Sequence, residues 1–303
     1  MSQNLALLHA EVGTPTAVGT PPADRTPPAD RTPPADRTPP VETGPSVILH
    51  QGEVVLFTVP VQSRAPFVVG QFQDQAILFF KDDSADQYAA LMGADLALSP
   101  GTYKLTLDKK EYTVEVLPTH FGVETFTLPK DKVDLSPATL ARVEKEADQF
   151  KDIFTKSNPA RYWRDLFLIP VAGARSGTFG QKRVINGQEK NPHTGEDIRA
   201  PLGAVVTASN SGKIVLSGDF FFNGQSLVID HGGGLFTMYF HLSEIKAKGG
   251  DVVEQGQVIG LVGQSGRATG PHLHWGARLN GARVDPFSLV NAVKGVTASA
   301  GEP

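Results

Sequence analysis

The sequence predicts a mainly β chain, with a C-terminal antiparallel β-sheet domain bearing a groove, preceded by a small β-sandwich-like domain and a linking α-helix. Three observations predict it. Runs of β-branched and aromatic residues recur between turn signals from about Ser46 to Leu117, a single long amphipathic segment follows, and beyond Phe167 Gly- and Val-rich segments carry histidines at strand spacing. The 303 residues are enough for two domains at ~150 residues each. A hydrophobic fraction of 40% is too high for a wholly disordered chain, and no apolar run approaches the ~18 residues of a membrane span. The net charge of −4 provides no field that would recruit nucleic acid. Cysteine is absent, which excludes disulfides, thiolate metal sites and a cysteine nucleophile.

Residues 1–45 read as a disordered, Pro-rich lead. Met1 to Ala10 has no basic segment and its apolar stretch, Leu5 to Leu8, is too short for an export signal, so a frayed or trimmed start is expected. From Thr20 the hexapeptide Thr-Pro-Pro-Ala-Asp-Arg runs three times to Arg37 and restarts at Thr38. Paired prolines favour extended polyproline II, so the repeats suit a solvated spacer.

Residues 46–118 form the small β module. Strands are expected at Val54 to Val59, Phe67 to Phe80, Thr102 to Leu107 and Glu111 to Leu117, with a turn at Asp108-Lys109-Lys110. No cluster of His, Asp or Glu lies there at ligand spacing, so a scaffolding, binding or occluding role is expected. Residues 119–165 form a linker with the helix. Ser136-Pro137 opens it, Leu140, Val143, Ala147, Phe150 and Phe154 make one apolar stripe, and Asn158-Pro159 stops it. The stripe is expected to pack at the seam between the two β domains, with a docking surface for another protein as the alternative. The C-terminal domain spans 166–290 and a flexible tail 291–303.

The chemistry lies in that C-terminal domain. His193 and Asp197 stand four residues apart among Pro192, Gly195 and Pro201, so an extended segment projects both from one face. His272 and His274 stand two apart, with Leu273 and Trp275 facing the other way, which predicts one wet and one dry strand face. Two imidazoles and one carboxylate make a plausible zinc set with an open fourth position, though spacing alone does not choose between His272 and His274. His231, in Ile-Asp-His-Gly-Gly-Gly, reads as a turn residue, and His9, His50 and His120 have no partner pattern. The Gly-rich stretch Gly260 to Gly270 reads as a hairpin or loop on the groove wall. Within it Arg267 is either a solvated arginine or one that meets a peptide carboxylate. Asp285-Pro286 reads as a helix cap.

From about Phe179 to Leu289 the chain resembles the lysostaphin-like (LytM-type) zinc metalloendopeptidases of bacterial peptidoglycan. The matching residues are Phe179-Gly180, His193-Thr194-Gly195-Glu196-Asp197, Gly203-Ala204-Val205-Val206, Tyr239-Phe240-His241-Leu242, Gly249-Gly250-Asp251-Val252-Val253, Gly256-Gln257-Val258-Ile259-Gly260 and Thr269-Gly270-Pro271-His272-Leu273-His274-Trp275. The resemblance implies that His193, Asp197 and His274 bind one Zn2+, and that His272 and His241 stay unligated beside it as catalytic residues. It leaves open how proton transfer and oxyanion stabilisation divide between those two. It further implies peptidoglycan peptides as partner, a cell-envelope location, periplasmic or extracellular, and possible pairing with a regulatory envelope protein. A catalytically silent regulator and a biotinyl- or lipoyl-type carrier are the alternatives. All five site positions are filled against the first, and no Met-Lys-Met signature is present for the second.

Overall fold

The computed structural model describes residues 46–82, 87–130, 133–164 and 166–298, with side chains described as far as Val293. The Pro-rich lead expected over 1–45 lies outside the described residues. The first seven strands are β1 (Val47–His50), β2 (Val54–Val59), β3 (Phe67–Phe72), β4 (Gln75–Asp82), β5 (Gln87–Gly93), β6 (Gly101–Leu107) and β7 (Lys110–Leu117). They make one sheet in the order β1-β7-β6-β3-β4-β5-β2, folded around Leu49, Phe57, Phe79, Met92, Leu105 and Val114. The run expected as one strand from Phe67 to Phe80 is a hairpin. Gln73 turns the chain at a φ of 56°, and alternate burial resumes on the return strand. Between β6 and β7 the two-residue loop Asp108-Lys109 has φ values of 48° and 64°, the left-handed pair that matches strand twist in a tight hairpin.

The next elements are β8 (Val123–Phe126), α1 (Pro137–Phe154), β9 (Ala174–Gly177), β10 (Lys182–Ile185), β11 (Gln188–Lys190), β12 (Gly195–Arg199), β13 (Val205–Thr207), β14 (Gly212–Phe220), β15 (Gly224–Gly232) and β16 (Leu235–Ile245). The chain continues through β17 (Val252–Val253), β18 (Val258–Val262), β19 (Leu273–Leu279), β20 (Ala282–Val284) and α2 (Pro286–Ala298). A ten-stranded sheet runs β17-β14-β15-β16-β19-β12-β9, with β18 and β20 on β16 and β19, and β13 on β18. Its core face holds Leu273, Trp275, Tyr239 and Ile229. A three-stranded sheet, β11-β10-β8, borrows β8 from the segment expected to be linker.

Helix α1 begins as expected: the Ser136 Oγ accepts from the Thr139 N–H at 3.2 Å. Its placement differs from the expectation. The stripe does not lie in a seam between domains but covers the large sheet, where Phe150 meets Phe240 and Phe220, and Phe154 meets Phe236. Phe236, Met238 and Phe240 alternate along β16, so period-two patterning gives the sheet a second apolar face, against which Phe150, Ile153 and Phe154 of α1 pack. Leu140, at the other end of the stripe, stays exposed.

The two large sheets share a core, because Val54 and Leu91 from the first pack with Leu279 and Val284 from the second and with Leu289 of α2. Asp95 and Arg283 clamp the same boundary at 2.6 Å. Burial works to raise the Asp95 pKa, but bonds from Arg283 and Ala97 outweigh it and hold the carboxyl below its ordinary value. Residues 291–298 are not the flexible tail expected from sequence. They continue α2, because Leu289, Val290 and Val293 are buried in that core. Asp285 caps this helix by accepting from the Phe287 N–H at 2.8 Å.

His231 is likewise no turn residue. It is fully buried in β15, with Nδ1–H donated to the Ser211 carbonyl at 2.8 Å and Nε2 accepting from Thr237 Oγ1 at 2.7 Å. Burial pushes its pKa down to about 4, against a small opposing effect of Ser211. Because the unfolded imidazole titrates near ~6.5, the unfolded chain binds the extra proton between the two values, so stability falls as pH drops through that window. About 3 kcal/mol is at stake, from 1.36 kcal/mol per pKa unit. Urea unfolding of the wild type and of His231→Gln at pH 7 and near pH 4.5 is expected to give a flatter pH dependence in the variant. Parallel curves would remove His231 from the acid lability.

Candidate metal centre

Register brings the centre together. In the antiparallel pair of β12 and β19, Asp197 stands directly opposite His274, and on the other side of β19, Phe240 of β16 also stands opposite His274. Directly opposed residues share a sheet face with Cβ atoms ~5 Å apart, so the carboxylate and the imidazole meet and the Phe240 ring lies flat on His274, 5.3 Å between centroids. The histidine-bearing face is therefore only partly wet: Met238, Phe240 and helix α1 continue it as an apolar layer.

His193 reaches the same point from just ahead of β12, pinned by paired backbone bonds, Gly180 N–H to the His193 carbonyl at 2.7 Å and His193 N–H to the Gln181 carbonyl at 2.9 Å. Its Nδ1 lies 3.1 Å from the Thr178 carbonyl, which can only accept, so Nδ1 carries the proton and Nε2 presents a lone pair. His193 Nε2 lies 3.0 Å from Asp197 Oδ1 and 2.9 Å from His274 Nδ1, and His274 Nδ1 lies 2.9 Å from Asp197 Oδ1. The donor atoms of His193, Asp197 and His274 thus lie within 4.8 Å of one another, so these three form a group able to hold a metal ion.

Electrostatics prepares this group for a cation. Burial alone would raise the Asp197 carboxyl, but the adjoining imidazoles of His193 and His274 outweigh burial and hold it well below the carboxylate range. Burial pushes His274 down to about 4, with Asp197 opposing and His193 reinforcing the shift. At neutral pH Asp197 is a carboxylate and His274 a neutral imidazole. That is the protonation state metal ligation requires.

The other two histidines flank the group. His272 donates Nδ1–H to the Gly270 carbonyl at 2.8 Å, and its Nε2 lies 3.7 Å from Asp197 Oδ1. His241 donates Nδ1–H to the Ser265 carbonyl at 2.9 Å, and its ring centroid is 4.8 Å from that of His272. It also holds a φ of 63°, an uncommon backbone conformation for a non-glycine residue, with its own N–H bonded to the Asn223 carbonyl. Burial, then the neighbouring His274 and His272, push its pKa down to about 3. Both side chains present an unprotonated Nε2 held in place by a backbone carbonyl.

Two supporting features escape sequence reasoning. Glu196, beside Asp197 but on the opposite strand face, is buried and accepts from Arg175 and from the Phe179 N–H at 3.0 Å, fixing the loop whose Thr178 carbonyl orients His193. The strand-face alternation of Glu196-Asp197 could have indicated it. Arg183 on β10 reaches Asp197 Oδ2 at 3.4 Å and Glu124 at 3.3 Å, and nothing local in the sequence indicates that.

Close backbone approach is also required. A Cβ on Gly177 would stand 2.6 Å from Asp197 Oδ2, and one on Gly195 would stand 2.6 Å from His274 Nε2. Gly177→Ala is therefore expected to push the Asp197 carboxylate out of line and weaken metal affinity by about 10–100-fold, the usual effect of disturbing a ligand's surroundings. Metal titration of the purified chain measures this, and unchanged affinity would show that the strand yields instead.

Residues 191–286 match the profile of Peptidase family M23. A crystal structure from Pseudomonas aeruginosa described as a peptidase M23 superposes with a TM-score of 0.64 at 31% identity, covering 78% of this chain and 93% of that one. The chain belongs to peptidase family M23. Among curated relatives of this M23 chain, the DD-carboxypeptidase/endopeptidase Mpg of Neisseria meningitidis is 46% identical over 97 residues, covering 32% of this chain and 22% of the relative. The peptidoglycan DD-endopeptidase ShyA of Vibrio cholerae is 43% identical over 94 residues, covering 31% and 22%. The M23 chain thus spans about a fifth of the length of these relatives. Among its described residues no helix is long and apolar enough to cross a membrane.

Proposed function

We propose that this chain is a zinc-dependent endopeptidase that hydrolyses peptide cross-links or stem peptides of bacterial peptidoglycan in the cell envelope, periplasmic or extracellular. The observation that carries the reading is the meeting of His193, Asp197 and His274 at one point, flanked by two imidazoles whose Nε2 atoms are free to act. The names of the M23 relatives supply the substrate class. In this reading residues 166–290 carry the chemistry, 46–118 serve as scaffold and 119–165 link them.

His193, Asp197 and His274 hold the metal. Zinc, when bound there, supplies Lewis-acid polarisation of the scissile carbonyl and lowers the pKa of water to ~7. His272 Nε2, nearest the carboxylate ligand, takes up the proton of the attacking water, its ring held by the Gly270 carbonyl. His241 Nε2 offers a second acceptor beside it, and the proton taken up passes to the departing amine nitrogen. The Phe240 ring and α1 exclude water from one side of His274 and keep its plane fixed. A silent regulator would need none of the five side chains, and all five are present.

Purified sacculi incubated with the zinc-loaded full chain are expected to release soluble peptide-cleaved fragments identified by mass. Equal release by His272→Ala would remove the catalytic assignment.

A further inference from the structure

Arg267 sits on the loop that follows β18, between Ser265 and Gly270, the residues whose carbonyls orient His241 and His272. Its backbone N–H is bonded to the Phe222 carbonyl at 2.8 Å and its guanidinium lies over the Phe222 ring, 4.1 Å from the centroid. The side chain is thereby held at the groove instead of drifting into solvent. Among the described residues no carboxylate is bonded to it. A half-buried cation held in one place without an anion is costly, and such sites normally find their partner.

Arg183 faces the same region. It touches Asp197 Oδ2 and Glu124 Oε2 through single contacts at 3.4 and 3.3 Å, which leaves most of its five N–H donors uncommitted to those carboxylates. The two guanidinium groups are close enough to repel, and burial together with Arg183 pushes the Arg267 pKa down to about 10. An anion placed between two cations that repel each other stabilises both. A planar carboxylate fits the donor fork of arginine better than any neutral group of a peptide.

We infer that Arg267, with Arg183 across the groove, forms a carboxylate-binding subsite, so that this chain selects peptides carrying a free carboxylate next to the bond it cuts. The inference rests on the peptidase reading above and adds to it the charge of the substrate. Amidation of that carboxylate removes the anion and leaves the Arg267 guanidinium without one.

The test uses the zinc-loaded full chain carrying His272→Ala, titrated calorimetrically with two synthetic cross-linked stem peptides, identical except that the carboxylates flanking the cross-link are free or amidated. The free form is expected to bind at least about tenfold more tightly, the usual scale for a hydrogen bond to a charged group. Adding Arg267→Gln is expected to bring the ratio of the two affinities towards one, while Arg267→Lys, which keeps the charge and loses the fork, retains part of it. Equal affinities in the parent, failure of both peptides to bind, or a ratio that survives Arg267→Gln would overturn the subsite. If the glutamine variant melts early, a lysine variant with an undiminished ratio overturns it equally. Sacculus digestion by the wild type reads the peptidase assignment separately: digestion without carboxylate preference sinks the subsite alone, and carboxylate preference without digestion sinks the enzyme alone.

Discussion

His274→Ala is expected to lose its metal and, with it, all measurable peptide hydrolysis. The imidazole contributes one of three donor atoms, and removing it leaves Asp197 and His193 to hold a cation with two protein ligands in a buried site. Disturbing the outer partners of a metal ligand already costs about 10–100-fold in affinity, so loss of a ligand itself exceeds that range. Elemental analysis after dialysis should fall from about one zinc per chain, the stoichiometry of a single three-ligand site, to a small fraction of it. The ring also stacks on Phe240, so far-UV and near-UV circular dichroism of the variant must be recorded alongside. A folded His274→Ala chain that keeps its zinc would remove His274 from the ligand set.

The second large effect separates chemistry from metal binding. His241→Ala and His272→Ala are each expected to retain the metal and to lower kcat by about 10²–10⁴-fold, the range for a positioned proton-transfer group. Their tautomers are set by carbonyls at Ser265 and Gly270, so each Nε2 is an acceptor before the reaction begins. Burial and the neighbouring imidazoles push the His241 pKa down to about 3. It therefore remains a neutral acceptor throughout the pH range above that value, and removing it should lower the whole pH profile without shifting its acidic limb. If the two share one proton relay, the double variant falls little below the worse single variant. Loss of zinc from either single variant would instead make that residue a ligand.

Much of this was legible in the chain itself. The even spacing of His272 and His274, with Leu273 and Trp275 between and after, indicated side chains sharing a strand face, because strand alternation is a local property, whereas His193 lies ahead of β12 and is set by its backbone bonds to Gly180 and Gln181. The Ser136 cap and the Asp285 cap were legible for the same reason: a side chain there bonds backbone two or three positions away. The choice of His274 over His272 was not. It depends on which of the two stands opposite Asp197 across β12 and β19, and register between strands nearly 80 residues apart is not written in either strand.

By itself, then, the sequence determined which residue types stood at strand and helix spacing, and so the kind of centre they could build. Only the tertiary structure decided that α1 covers Phe236 and Phe240 rather than a seam, that Arg183 reaches Asp197, and that the loop carrying Arg267 also orients His241 and His272. Periodicity follows from backbone geometry over a few residues, whereas these contacts depend on sheet order and on which apolar face remains to be covered once the strands have paired.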